Sequence, residues 1–159
     1  MILQLATPFV AHSAIARWLH PLDSLPLECD GMTHVIAVIL NRTGISYTVF
    51  KRVLHDTSLP LTDSRACIVH FWIGLPDGAV VDYRARMWFG LDAPHGVFTP
   101  SVGSRYQYKA AVPQSNFTLP ISLVSAIAGT DLSNFPIPPI EAMFHYDNAN
   151  TMRSADAVH

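Results

Sequence analysis

Residues 29–44 read Cys29-Asp30-Gly31-Met32-Thr33-His34-Val35-Ile36-Ala37-Val38-Ile39-Leu40-Asn41-Arg42-Thr43-Gly44. Met32, Val35, Ile36, Ile39 and Leu40 recur at the spacing of one helix face, and Gly44 stands where a left-handed C-terminal cap belongs. The stretch predicts a mostly buried helix whose first turn holds Glu28, Cys29 and Asp30. A thiol there feels the positive end of the helix dipole, which favours the thiolate, the nucleophilic form. Such a thiol needs a base, and the base needs an acid to orient it.

Upstream, Phe9, Val10, Ala14, Ile15, Trp18 and Leu19 predict a short amphipathic helix over 9–19 that Pro21 ends. Residues 21–28 carry two prolines and read as an extended lead-in to the central helix. Downstream of Gly44 the period changes to two. Ile45, Tyr47, Val49, Lys51 and Val53 alternate with Ser46, Thr48, Phe50 and Arg52, which predicts a strand. Residues 55–65 are polar, contain Pro60, and read as a loop.

Residues 66–75, Ala66-Cys67-Ile68-Val69-His70-Phe71-Trp72-Ile73-Gly74-Leu75, are the strongest strand in the chain. Pro76-Asp77-Gly78 is a turn in which Pro fixes φ early and Gly accepts a left-handed position. Residues 79–83 return as the second arm of a hairpin. If Leu75 pairs with Ala79 across a three-residue loop, Trp72 faces Asp82 and His70 faces Arg84. Asp82 is then diagonal to His70 on one face, within reach of its ring. A two-residue loop puts them on opposite faces.

Residues 85–100 break the pattern with Met87-Trp88-Phe89-Gly90 and Ala93-Pro94-His95-Gly96, an aromatic loop of the kind that lines a cleft. Tyr106, Tyr108, Ala110 and Val112 alternate weakly as a further strand over 105–112. Residues 120–128 read as a helix begun by Pro120 and stopped by Gly129, 134–139 as an extended proline-rich run, and 147–159 as a flexible polar tail. The chain shows no internal repeat.

The 159 residues suit one domain with a real core. Apolar residues make up 50% and charged residues 14%, so the chain is globular and not disordered. With net charge −2 and no basic run longer than Lys51-Arg52, no nucleic-acid partner is expected, because phosphate binding needs clustered positive charge. Two cysteines make no disulfide scaffold. The first twelve residues lack the basic region and unbroken apolar core of a secretory signal. No apolar run nears the roughly 18 residues of a membrane span, so a cytoplasmic setting is expected. Eight histidines show no HExxH spacing and no CxxC accompanies them, so neither metal nor other cofactor is expected.

Cys29 at a helix start, Gly44, then a strand, His70 and Trp72 in the next strand, a hairpin and Asp82 together resemble the transglutaminase-like branch of the papain-like cysteine enzymes. That group includes transglutaminase-like peptidases, arylamine N-acetyltransferases and the leader peptidases of lasso-peptide biosynthesis. The match covers roughly residues 27–84. It implies a Cys-His-Asp triad with Cys29 as nucleophile, His70 as base and acid, and Asp82 holding the imidazole. No Gln lies just upstream of Cys29 to share an oxyanion hole with its amide.

Other residues carry plainer readings. Cys67, beside Ile68 and Val69, reads as core, and His34, one turn beyond Asp30, as a satisfied surface residue or one lying behind the site. Trp72 and Trp88 read as core or cleft wall. Arg84 and Arg86 could hold an acidic substrate group, or lie on a solvated face or in a salt bridge to Asp82. Trp72, Arg84 and Trp88 form the expected substrate-binding set.

The expected fold is α+β, transglutaminase-like, with N-terminal helices packed on an antiparallel sheet in one domain over 1–146. The expected function is thiol-dependent acyl transfer on a protein or peptide: a cysteine protease, amidase or deamidase. The alternative is a non-catalytic binding module or inhibitor, for example phage- or plasmid-encoded, whose low charge and apolar loops suit a protein interface.

Overall fold

In this computed structural model the described residues are 9–108, 112–113, 118–139 and 144–145. The tail expected over 147–159, the first eight residues, and residues 109–111 of the expected strand lie outside them. The elements run β1 (Phe9–Val10), α1 (His12–Leu19), a 3-10 turn (His20–Ser24) and α2 (Cys29–Asn41). Then come β2 (Thr48–Asp56), β3 (Cys67–Gly74), β4 (Val80–Asp82), α3 (Ala85–Phe89) and β5 (Gly96–Phe98). The last are β6 (Tyr106–Tyr108), β7 (Val112–Pro113), α4 (Ile121–Ala128) and β8 (Phe144–His145). The architecture is mixed α+β.

The main sheet is antiparallel in the order β5-β4-β3-β2-β6, with β7 also paired to β2; β1 and β8 form a separate pair. Its longest ladder joins β2 and β3 from Thr48 opposite Gly74 to His55 opposite Cys67. The β3–β4 hairpin pairs Ile73 with Val81 and Gly74 with Val80, and Leu75 N donates to Ala79 O at 2.8 Å. This is the three-residue loop, the register that keeps His70 and Asp82 on one face. Gly78 makes it possible at φ +88, and the Asp77 carboxylate accepts from Ala79 N at 3.0 Å.

The helix α2 begins at Cys29, as its apolar spacing requires, and nine of its residues are buried, so it must be covered on several sides. Ile36, Ile39 and Leu40 pack with Ile15 and Leu19 of α1, Val49 and Ile73 of the sheet, and Val124 of α4. Each such aliphatic side chain contributes about 1.5–3 kcal/mol on burial. Gly44 turns the chain at φ +72.

Several boundaries differ from expectation. Strand β2 starts at Thr48 and not Ile45, because Ile45 is buried in the helix-facing core as part of the connecting turn. The chain past Leu19 continues as a 3-10 turn in which Pro21 occupies an early position whose N–H is not needed. The aromatic segment 85–100 contains α3 and β5 instead of being all loop. Cys67 is exposed, not core. It lies on the helix-facing side of β3, but beyond the end of α2's cover, where neighbouring Val69 is also 63% exposed.

Val49 and Ile73 face α2, so the residues alternating with them, Phe50, Leu54, Ile68, His70 and Trp72, share the opposite face. That face curls. Tyr108 of β6 and Asp82 of β4 are separated by two intervening strands, a flat-sheet distance of about 14 Å at the usual strand spacing. Their side chains nonetheless touch, at 2.7 Å. The concave side of the twisted sheet is therefore where distant strands converge. No helix among the described residues is long and apolar enough to cross a membrane.

The turn chemistry sets an expectation for stability. A Cβ at the left-handed Gly78 meets no neighbour within 4 Å, so Gly78→Ala should cost only backbone strain, about 1 kcal/mol. Differential scanning calorimetry should show the melting temperature falling by about 2–4 °C.

Candidate active site

Four donors converge on the Asp82 carboxylate. His70 Nε2 lies 2.7 Å from Oδ2 and the Tyr108 hydroxyl donates to the same oxygen at 2.7 Å. The backbone amides of Arg84 and Ala85 donate to Oδ1 at 2.8 and 3.1 Å. The side chains of His70 and Asp82 are 0% and 1% exposed. Burial works to raise the Asp82 pKa, but the His70 contact, the Arg84 amide and the Tyr108 hydroxyl outweigh it and hold the acid below its ordinary value.

Burial likewise opposes charge on His70, yet Asp82 and, after it, the Cys29 thiol push its pKa up to about 9. The two ring nitrogens have separate roles. Nε2 is engaged by Asp82, while Nδ1 is buried with no hydrogen-bond partner among the described residues. In the neutral ring, a proton held on Nε2 leaves Nδ1 as the acceptor. His70 and Asp82 are in direct contact, and Cys29, the most exposed of the three at 9%, lies near enough to His70 to influence its charge.

Arg84 explains how the start of α2 arrives there. Its five N–H groups are all used. Nε donates to Leu27 O, Nη1 to Asp23 Oδ1 and Tyr83 O, and Nη2 to Asp23 O and Leu25 O. The guanidinium pins the segment before Cys29 to the end of β4, next to Asp82. With no donor left over, Arg84 is a clamp and offers nothing to a ligand, and its ion pair is with Asp23 instead of Asp82.

Trp72 is 3% exposed and lies over His70, with ring centroids 6.3 Å apart and planes 24° from parallel; Tyr108 meets Trp72 edge-on at 5.3 Å. The two rings wall off the His70–Asp82 bond from water. Beyond them is a hollow of about 350 Å³ lined by Phe50, Leu75, Val80 and Pro100. A second, more polar groove of about 640 Å³ is bounded by Asp23, Leu27, Glu28, Arg84, Arg86 and His95. Neither is lined by the three triad residues, but the groove reaches Glu28, the neighbour of Cys29. It is the better candidate for a substrate cleft. Trp88 is 52% exposed on α3 and lines neither.

Glu28 is the N-cap of α2 and makes no side-chain cap bond, while Asp30 Oδ1 accepts from Gly31 N at 2.7 Å. His34 is partly buried, which lowers its pKa against the pull of Asp30. No group of three His, Cys, Asp or Glu residues that could hold a metal ion exists among the described residues. Tyr108 is the residue that sequence reasoning missed. Its alternation with Tyr106 marks a strand, but nothing in that pattern links it to Asp82. No protein-family model, curated protein or solved structure matches this chain.

The raised His70 pKa and lowered Asp82 pKa fix the sign of the pH dependence. The His70 contribution to stability is full below about 6.5 and is lost as pH rises through about 9. The Asp82 contribution is present above its unfolded value near 3.8 and is lost as pH falls through its lower folded value. Thermal melts should therefore plateau between about pH 4 and 6.5 and decline towards 9, and NMR should place the His70 ring titration near 9. Tyr108→Phe removes one donor to a buried carboxylate. It should cost about 1.5–3 kcal/mol and move the acid limb of the melt profile to higher pH.

Proposed function

We propose that this chain is a thiol-dependent acyl-transfer enzyme, a cysteine protease, amidase or deamidase of transglutaminase-like, papain-like architecture, acting on a protein or peptide. The observation that carries this reading is the arrangement around His70: Asp82 on Nε2, and a partnerless Nδ1 on a ring whose charge Cys29 stabilises. The sheet-and-helix order supports the same reading. The exposed free thiol at Cys67 suits a reducing, cytoplasmic setting.

In this mechanism His70 takes the Cys29 thiol proton on Nδ1, and the thiolate attacks an amide carbonyl. A C–S bond forms and the carbonyl electrons move to oxygen, where the Cys29 amide at the uncapped helix start donates to the oxyanion. Collapse breaks the C–N bond as Nδ1–H protonates the leaving nitrogen. Water, or an amine in transamidation, then attacks the thioester while giving its proton to Nδ1. The C–S bond breaks and the thiolate returns. Asp82 keeps the proton on Nε2 throughout.

A second reading, a non-catalytic binding module, draws on the apolar side chains of Met87, Trp88 and Leu91, exposed by 56, 52 and 83%. Three exposed apolar side chains make only a small patch, so the first reading has the stronger support.

Substitution at the triad separates the two. Iodoacetamide at neutral pH should label Cys29 faster than Cys67, although Cys67 is the more exposed, and His70→Ala should slow Cys29 labelling by at least about tenfold. Against a peptide library, Cys29→Ala should abolish covalent turnover, His70→Ala should be nearly as severe, and Asp82→Asn should retain more. A folded Cys29→Ala protein with full biological effect would establish the binding module instead.

A further inference from the structure

Arg84 and Arg86 stand two residues apart and look interchangeable in the sequence, but the fold uses them differently. Every N–H of Arg84 is committed to the clamp. Arg86 lines the same groove and is held only through Nε, which donates to Ala93 O at 2.9 Å. Its Nη1 and Nη2 make no hydrogen bond or ion pair among the described residues. One anchored nitrogen restricts the plane of the guanidinium, so the outer edge is a preorganised fork of donors.

The remaining charges of the groove do not occupy that fork. Asp23 is taken by Arg84 at 2.9 Å and by His95 Nε2 at 2.8 Å. Glu28, on the groove wall beside Cys29, has no ion-pair partner among the described residues. A planar carboxylate matches the Arg86 fork in shape and charge.

We propose that Arg86 is the substrate-selecting residue of this groove, binding a carboxylate of the peptide or protein substrate through its free Nη1–Nη2 edge. The inference rests on the reading of Cys29 as nucleophile, and it assigns to Arg86 the acid-binding task that the sequence shared between two arginines. The carboxylate can belong to an acidic side chain or to a chain end.

The test uses the full chain and two thiol reagents of opposite electrostatic preference, anionic iodoacetate and neutral iodoacetamide. Arg86→Gln should lower the iodoacetate-to-iodoacetamide rate ratio at Cys29 by about two- to threefold at low salt, as expected for removing one partly screened positive charge from the groove. Arg86→Lys should keep the ratio, Cys67 should show no change, and the difference should vanish at about 1 M salt. In parallel, the Arg86 Nε–H resonance is followed by NMR against N-acetylglutamate α-amide, N-acetylglutamine and N-acetylglutamine α-amide. A saturable shift with the first marks a side-chain carboxylate, with the second a chain-end carboxylate, and the neutral third should give none. An unchanged ratio at a reactive Cys29, or a resonance that fails to distinguish charged from neutral probes, overturns the assignment. If Cys29 resists both reagents, the nucleophile reading falls, and the NMR titration alone decides whether Arg86 binds carboxylates.

Discussion

A carboxylate stripped of water is the constraint on which this molecule's architecture turns. Removing an ion from solvent costs several kcal/mol unless donors replace the lost hydration, and the Asp82 side chain is only 1% exposed. The replacements come from His70 on β3, Tyr108 on β6 and the amides that follow β4. Satisfying one carboxylate thus ties together both halves of the sheet. It also requires the curl, since Tyr108 cannot reach Asp82 across a flat sheet of the same strand order.

The same need for saturation governs Arg84. A buried guanidinium with five N–H groups is tolerable only if each finds an acceptor, and the acceptors here are Asp23 and the carbonyls of residues 23, 25, 27 and 83. The end of the 3-10 turn and the extended run after it lack the regular carbonyl partners of an α-helix, and the arginine donates to Asp23 O, Leu25 O and Leu27 O there. The position of the α2 N-terminus follows from this, and with it the closeness of Cys29 to His70. Arg86, outside the clamp, keeps the donors that Arg84 has given up.

The site is therefore asymmetric. The acid–base pair is sealed beneath Trp72 and Tyr108, which strengthens its electrostatic coupling by excluding water, while the thiol is the part nearest to solvent. An imidazole so buried would ordinarily resist charge; the adjacent carboxylate reverses that preference and pushes its pKa up to about 9.

The amino-acid sequence by itself determined the elements that local patterning controls. The apolar spacing after Cys29 placed α2, the Pro76-Asp77-Gly78 turn permitted the register that puts His70 and Asp82 on one face, and Gly129 ended α4 with a left-handed cap. Those signals survive because helix period, turn chemistry and strand alternation act over a few residues. Tertiary structure alone decided the rest. The reach of Tyr108 to Asp82 depends on sheet curvature, and the exposure of Cys67 on how far α2 extends over β3. Which of Arg84 and Arg86 is saturated depends on carbonyls some 60 residues away in the chain, at Asp23, Leu25 and Leu27. Side-chain identity says what a group can bond, and only the three-dimensional path of the chain says which partners arrive.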